Sequence, residues 1–263
     1  MDAIASAAIE AAKAGGEIAQ HYFRTNLSVE TKADRTPVTR ADRESEACIT
    51  RLLSQRFPDH GFLGEELGER PGRGDARWII DPIDGTKNFI RGIPFFAVLI
   101  ALEEAGQITA GVMYAPALGE LLYARHGLGA FVQGQAASAS DRRVRVSDVE
   151  HLDRSMLIHG GLNDLKSRPC WPAFLALVDA TARQRGFGDA LGHSLVIGGQ
   201  AEVVLEPEIK PWDVAPTKIL VTEAGGRYSD FSGSPSIYSG TAVISNGRVH
   251  DAVIARLQEK RGE

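Results

Sequence analysis

Apolar positions in the first sixty residues recur at helical spacing. Ile4, Ala8, Ala11, Ala12, Ile18 and Ala19 fall near a 3.6-residue period, which predicts a helix over residues 1–23. A second helix is predicted over residues 39–57, with Ala47, Cys48, Leu52 and Leu53 on one side and Pro58 ending it. From Trp78 the pattern changes to short apolar runs broken by glycine and proline. Residues 78–80, 96–102, 108–114, 120–124 and 129–132 read as strands, several of them joined by hairpin-like turns. Helices followed by strands predict an α+β half with an antiparallel sheet over residues 1–139.

Beyond residue 139 the order is mixed. Strands are predicted at 155–159, 201–205 and 241–245, and helices at 170–184, 190–199, 213–224 and 249–257. Phe174, Leu177 and Val178 share a face of the first of these helices, and Gly225-Gly226 closes the third. Residues 140–263 therefore read as an α/β half. There is no internal repeat and no low-complexity linker, so the two halves are expected to pack as one unit.

Composition narrows the function classes. A chain of 263 residues, 43% hydrophobic and 24% charged, is long enough to bury a core. Its formal net charge of -5 gives no basic face for a phosphate backbone, and the basic run at 142–145 is short and follows Asp141. Nucleic acid is not expected as a partner. Cys48 and Cys170 are too few for a disulfide framework or a sulfur metal site, and a reduced interior is the expected setting. Asp2, Glu10, Lys13 and Glu17 interrupt the alanine-rich N-terminus, which lacks the apolar stretch of a signal peptide or membrane span. The expectation is a cytoplasmic protein with no membrane partner.

The candidate chemistry centres on Asp81-Pro82-Ile83-Asp84-Gly85-Thr86. Two carboxylates at a strand end, with Pro82 stiffening the turn, can face a common point and hold a hard divalent cation with the Ile83 carbonyl turned inward. Gly85 would let the backbone approach a phosphate closely, and Thr86 adds a hydroxyl beside it. A polar turn with an Asp helix cap fits the same six residues. Three further acidic places each have two readings. Asp42 either completes a capping box with Thr39 or joins the site; Asp213 is a helix cap or a ligand; Glu65 is a surface acid or a ligand.

Glu65, the 81–86 run and the segment from Trp212-Asp213 to Glu223-Ala224-Gly225-Gly226 resemble, in this order, the inositol monophosphatase family. The resemblance runs from Lys32 through the last helix. It implies a layered αβαβα sandwich, a homodimer, and Mg²⁺-dependent hydrolysis of a small phosphorylated alcohol, with two or three ions per active site and Mn²⁺ as an alternative. Carried over residue by residue, Glu65, Asp81 and the Ile83 carbonyl would hold one metal, and Asp81, Asp84 and Asp213 a second. Thr86, oriented by Asp42, would position the water that Glu65 and the first metal activate. Where family members often have Asp-Gly, this chain has Asp34-Arg35.

Within the family, the stretch from Asp84 through Lys87 and Arg91 to Gly92 resembles the histidinol-phosphate phosphatase branch, as does Phe187-Gly188-Asp189. That substrate carries an ammonium and an imidazole, which carboxylates near the leaving group would favour through charge-assisted hydrogen bonds. Asp189 and Glu206 are the candidates, beside Asp84, Gly85, Thr86 and Asp213 at the phosphate. Asp189 as a helix cap and Glu206 as a strand-end acid are the plain alternatives. Inositol 1-phosphate, or a range of sugar and nucleotide monophosphates, is the rival substrate class. A regulatory binding protein that retains the fold is the rival outside enzymes.

Overall fold

The computed structural model describes residues 2–26, 28–32, 37–134 and 140–259. The Asp34-Arg35 departure lies outside the described residues. Helix α1 (Ala3–Tyr22) begins where the Asp2 side chain accepts the Ala5 N–H. A short hairpin, β1 (Val29–Thr31) and β2 (Pro37–Thr39), leads into α2 (Arg40–Arg56). The buried face of α2 differs from the expected one. Asp42, Ser45, Glu46, Ile49 and Leu53 face inward, and Ala47 is exposed. Polar residues on the inner face hid it from a search for apolar spacing.

Strands β3 (Gly61–Gly64), β4 (Gly68–Arg70), β5 (Ala76–Asp84), β6 (Ala97–Glu104), β7 (Gln107–Ala115), β8 (Glu120–Arg125), β9 (Gly129–Val132) and β10 (Arg142–Arg143) form one eight-stranded sheet, with a short helix α3 (Thr86–Ile90) after β5. The sheet is antiparallel except between β3 and β5, which run parallel. That exception corrects the antiparallel expectation, and it sets Glu65 beside the strand that carries Asp81.

The second sheet orders β12 (Arg183–Arg185), β11 (Met156–His159), β13 (Val203–Glu206), β15 (Ala242–Ser245) and β14 (Arg227–Ser229), parallel on one side of β13 and antiparallel on the other. Its helices are α4 (Leu162–Lys166), α5 (Trp171–Ala180), α6 (Asp189–Ile197), α7 (Pro211–Glu223) and α8 (His250–Gln258). Helix α5 is shorter than the 170–184 span expected. It stops at Thr181, whose hydroxyl donates to Leu177 O, and Gln184 belongs to β12.

Alternation along the strands explains the layers. Trp78 and Ile80 of β5, with Val98, Ile100 and Leu102 of β6, pack under α1 and α2. Ile79, Leu99 and Ala101 point the other way, into a core shared with α6, α7 and the inner face of the second sheet at Ile158, Val204 and Ile244. The outer face of that sheet, Leu157, Val203, Leu205 and Val243, is covered by α4, α5 and α8. The result is an αβαβα sandwich. Both cysteines are free. Among the described residues, no helix is long and apolar enough to cross a membrane.

Candidate active site

Asp81 and Asp84 are three residues apart, so in a regular strand they would point to opposite faces. The pairing of β5 with β6 is irregular at this place: Asp81 sits opposite Leu99 and Asp84 opposite Ala97, three steps against two. This bulge re-aims one carboxylate so that both serve the same side. Asp81 Oδ1 also accepts the Ile83 N–H at 3.0 Å, which tightens the turn. The parallel register of β3 brings Gly64 opposite Ile80, and the Glu65 N–H donates to Ile80 O at 3.1 Å. Glu65 is therefore placed next to Asp81.

Asp213 arrives from another part of the chain, in the first turn of α7, where its Oδ2 accepts the Lys210 N–H at 2.7 Å. Carboxylate oxygens of Asp81, Asp84 and Asp213 lie within 4.8 Å of one another. Burial and the neighbouring carboxylates of Glu65, Asp84 and Asp213 push the Asp81 carboxyl well above its ordinary range. Burial, then Asp189 and Asp213, does the same to Asp84. The Asp213 carboxyl is pushed up to about 7, chiefly by burial, and Glu65, Asp189 and Glu206 add to it. Among the described residues, no basic side chain is paired with any of the three. Oxygen donors gathered in this way suit a hard divalent cation.

Gly85 begins α3 with φ of 81°, the left-handed region that glycine enters freely. The Thr86 hydroxyl donates to Ile83 O at 3.0 Å. Asp42 forms the capping box of α2: its Oδ2 accepts from the Thr39 N–H at 2.8 Å and from the Thr39 hydroxyl at 2.6 Å. Its Oδ1 is buried and has no hydrogen-bond partner. No hydrogen bond joins Asp42 to Thr86.

Asp189 and Glu206 stand beside this cluster. Asp189 opens α6 with φ of 51°, and Gly188 rather than Asp189 is the N-cap. The free N–H groups at that helix end are taken by acids from elsewhere: Ala190 donates to Asp84 Oδ2 at 2.7 Å and Asp189 to Glu206 Oε1 at 3.1 Å. Consecutive peptide groups of α6 thus tie the clustered acids to a second acidic pair. Burial, then Glu206, raises the Asp189 carboxyl to about 6. Glu206 is buried at the end of β13.

Two residues near Glu65 were not among the expected site residues. Lys32 Nζ lies 2.6 Å from Glu65 Oε1 and 2.7 Å from Glu66 Oε1. Glu46, buried on α2, accepts the Glu66 and Leu67 N–H groups at 2.8 and 3.0 Å and so fixes the turn that carries Glu65. Its carboxyl is raised to about 7 by burial. Its spacing of four residues after Asp42 was the available signal, because both fall on one face of α2. An apolar groove lined by Phe95, Met113, Leu118, Leu122, Leu191 and Leu195 reaches Asp84 and Ala190. It does not include Glu65, Asp81, Asp213 or Glu206.

The chain is similar to known proteins along its whole length. The family described as "Inositol monophosphatase family" matches residues 1–263. The histidinol-phosphatase of Chlorobaculum parvum is 42% identical over 240 residues, covering 90% of each chain. That of Mycobacterium tuberculosis is 40% identical over 232 residues, 88% of each. Among solved structures, the extragenic suppressor protein suhB from Bartonella henselae superposes with a TM-score of 0.89 at 33% identity, over 98% of this chain and 99% of that one.

Proposed function

The chain belongs to the inositol monophosphatase family, and from that premise we propose that it is a Mg²⁺-dependent phosphomonoesterase that hydrolyses histidinol phosphate. The observation that supports this substrate is the α6 terminus, where Asp84 and Glu206 accept adjacent N–H groups. In this reading Asp189 and Glu206, next to the carboxylate cluster, take the cationic leaving group. The relatives named histidinol-phosphatase support the same reading.

The donor set fits a metal. It is all oxygen: Asp81 and Asp84 are buried and, with Asp213, have no paired base among the described residues, while Glu65 also meets Lys32; such donors suit Mg²⁺, with Mn²⁺ as the near alternative. Glu65, Asp81 and the Ile83 carbonyl would hold one ion, and Asp81, Asp84 and Asp213 a second, with room in the reading for a third. The Ile83 oxygen already accepts the Thr86 hydroxyl, and a carbonyl has a second lone pair to offer. Bound there, the ions supply positive charge that acidifies water and offsets the charge of the phosphate and of the leaving oxygen.

The remaining work falls to side chains of this protein. Glu65, steadied by Lys32, takes a proton from the attacking water. The Thr86 hydroxyl orients that water, and Asp42 contributes through Oδ1, the oxygen that its helix cap leaves unpartnered. Gly85 lets the phosphate come close to the backbone. As the water oxygen bonds to phosphorus, the bond to the alcohol oxygen breaks; the alcohol oxygen takes a proton from solvent water, and Glu65 gives the proton it took back to solvent, so the net change is one water consumed. Asp189 and Glu206 hold the ammonium of that alcohol by charge-assisted hydrogen bonds. The active protein is a cytoplasmic homodimer in this proposal, and a monomeric mass by light scattering would overturn the dimer.

Phosphate release from L-histidinol phosphate and from inositol 1-phosphate, with Mg²⁺ and with a chelator, tests the proposal. The expected result is Mg²⁺-dependent turnover with a higher kcat/KM for histidinol phosphate. Equal kcat/KM values would discard the substrate and keep the phosphatase. No release from either ester, or from a wider panel, would discard the enzyme.

A further inference from the structure

His193 is a buried imidazole with no part in the chemistry above. It is 1% exposed and lies on α6 four residues after Asp189, so the two share a face of that helix. Its Nδ1 is 3.0 Å from Thr217 Oγ1. Thr217 stands four residues after Asp213 on α7, one turn deeper than the carboxylate cluster. The Nε2 of His193 has no hydrogen-bond partner, and it lies 3.6 Å from Glu206 Oε1. That same oxygen accepts the Asp189 N–H. Two successive turns of α6 therefore converge on one carboxylate oxygen of Glu206.

The chemistry of these atoms orients the ring. An ionised carboxylate only accepts, so the nitrogen that faces Glu206 carries the proton, and Nδ1 receives the Thr217 hydroxyl hydrogen. A separation of 3.6 Å is too long for a hydrogen bond, yet contacts of this kind tighten when substrate binds. Glu206 is confined on its other side. A Cβ built on Gly160 would lie 1.9 Å from Glu206 Oε2, so this oxygen fills the space that the glycine leaves on β11's C-terminal side.

We propose that His193 is a positioning residue for substrate selection: held by Thr217, its Nε2–H pins Glu206 Oε1 and keeps Oε2 available to the cationic group of an amine-bearing phosphate monoester. This rests on the reading of Glu206 as a substrate-facing acid. Loss of the imidazole leaves the Asp189 N–H as the one hydrogen-bond donor at Glu206 Oε1 among the described residues, so the carboxylate is less firmly fixed and its hold on the ammonium weakens. The phosphate end, where Asp81, Asp84 and Asp213 would hold the metal, is untouched. The signature is a change in KM for one class of substrate, with kcat preserved.

The test uses the full chain with Mg²⁺, and compares His193→Phe, His193→Gln and Thr217→Val on L-histidinol phosphate and inositol 1-phosphate. His193→Phe is expected to raise KM for histidinol phosphate about tenfold, and to leave its kcat and the inositol phosphate constants within about twofold. His193→Gln, which can return an N–H donor, recovers most of that loss. In the double variant with Glu206→Gln, the His193→Phe effect disappears, because it acts through Glu206. Thr217→Val removes only the Nδ1 partner. It is expected to raise the same KM about threefold, and it serves if the phenylalanine variant does not fold.

Equal losses on both substrates, or an additive loss in the double variant, would overturn the proposal and leave His193 a packing residue. A wild-type protein with no preference for histidinol phosphate would overturn the functional reading and this inference together. A wild-type preference that His193→Phe and Thr217→Val leave intact would overturn this inference alone.

Discussion

Two buried polar clusters in this protein follow opposite rules. Asp81, Asp84 and Asp213 crowd like charges within 4.8 Å, and each carboxyl is pushed up by burial and by its neighbours. Near the far edge of the second sheet, His250 is fully buried between two hydroxyls. Its Nδ1 lies 2.8 Å from Ser245 Oγ and its Nε2 2.9 Å from Ser229 Oγ. Burial, with a smaller push from Arg227, lowers that imidazole to about 4, so it stays neutral at ordinary pH. The histidine cluster is complete within the chain. The carboxylate cluster has no basic side chain paired with it among the described residues. Buried polarity alone is therefore no mark of function, whereas uncompensated like charge is.

The contrast breaks first at the carboxylates. Asp213→Asn is expected to lower kcat/KM by a factor on the order of 10³, read as phosphate release at saturating Mg²⁺. Retention of activity would make Asp213 only the acid that accepts the Lys210 N–H. Next in size is the metal itself. Mg²⁺ at about a hundred times its Kd should stabilise the wild-type fold by about 2.7 kcal/mol, seen as a rise in Tm that a chelator reverses. The same addition should move the Asp213→Asn variant much less.

The histidine cluster should respond to pH and not to Mg²⁺. Its folded pKa lies below the ordinary value of 6.5, so the unfolded chain takes up a proton that the folded protein refuses. Stability from this group is present above pH 6.5 and falls as the pH drops toward 4. The loss between pH 7 and pH 5 is about 2 kcal/mol, measured by urea melts at constant Mg²⁺, and His250→Gln should flatten it. An unchanged slope in that variant would mean that other groups carry the pH dependence. Smallest is the second acidic pair. Asp189→Asn is expected to weaken histidinol phosphate about tenfold in KM and to spare inositol 1-phosphate. Equal effects on both would return Asp189 to a structural role at the start of α6.

The pattern of residues made much of this legible. Apolar spacing located α1, α2 and the central strands of the first sheet, because long periodic segments bury one face whatever surrounds them. Short edge strands were invisible. β4, β10, β12 and β14 have two or three residues each, too few to show a period, and they exist because a neighbouring strand offers its free N–H and C=O groups. The buried face of α2 was misread for a related reason. Asp42 and Glu46 are buried there because the Thr39 N–H and hydroxyl donate to Asp42 and the Glu66 and Leu67 N–H groups, twenty and twenty-one residues on, donate to Glu46; neither polar partner shows in an apolar pattern.

The amino-acid sequence by itself determined the helices and strands, the family, and the residue types that can hold a cation and a phosphate. Those are properties of composition and order. What only the tertiary structure decided is which acids act together. The bulge that turns Asp81 and Asp84 to one side, the arrival of Asp213 on α7, and the N–H bonds of α6 to Asp84 and Glu206 decide it, and the bond from Ala190 to Asp84 joins residues more than a hundred positions apart. The physical reason is that a carboxylate's role depends on what shares its few ångströms of low-dielectric space, and packing, not spacing along the chain, sets that company.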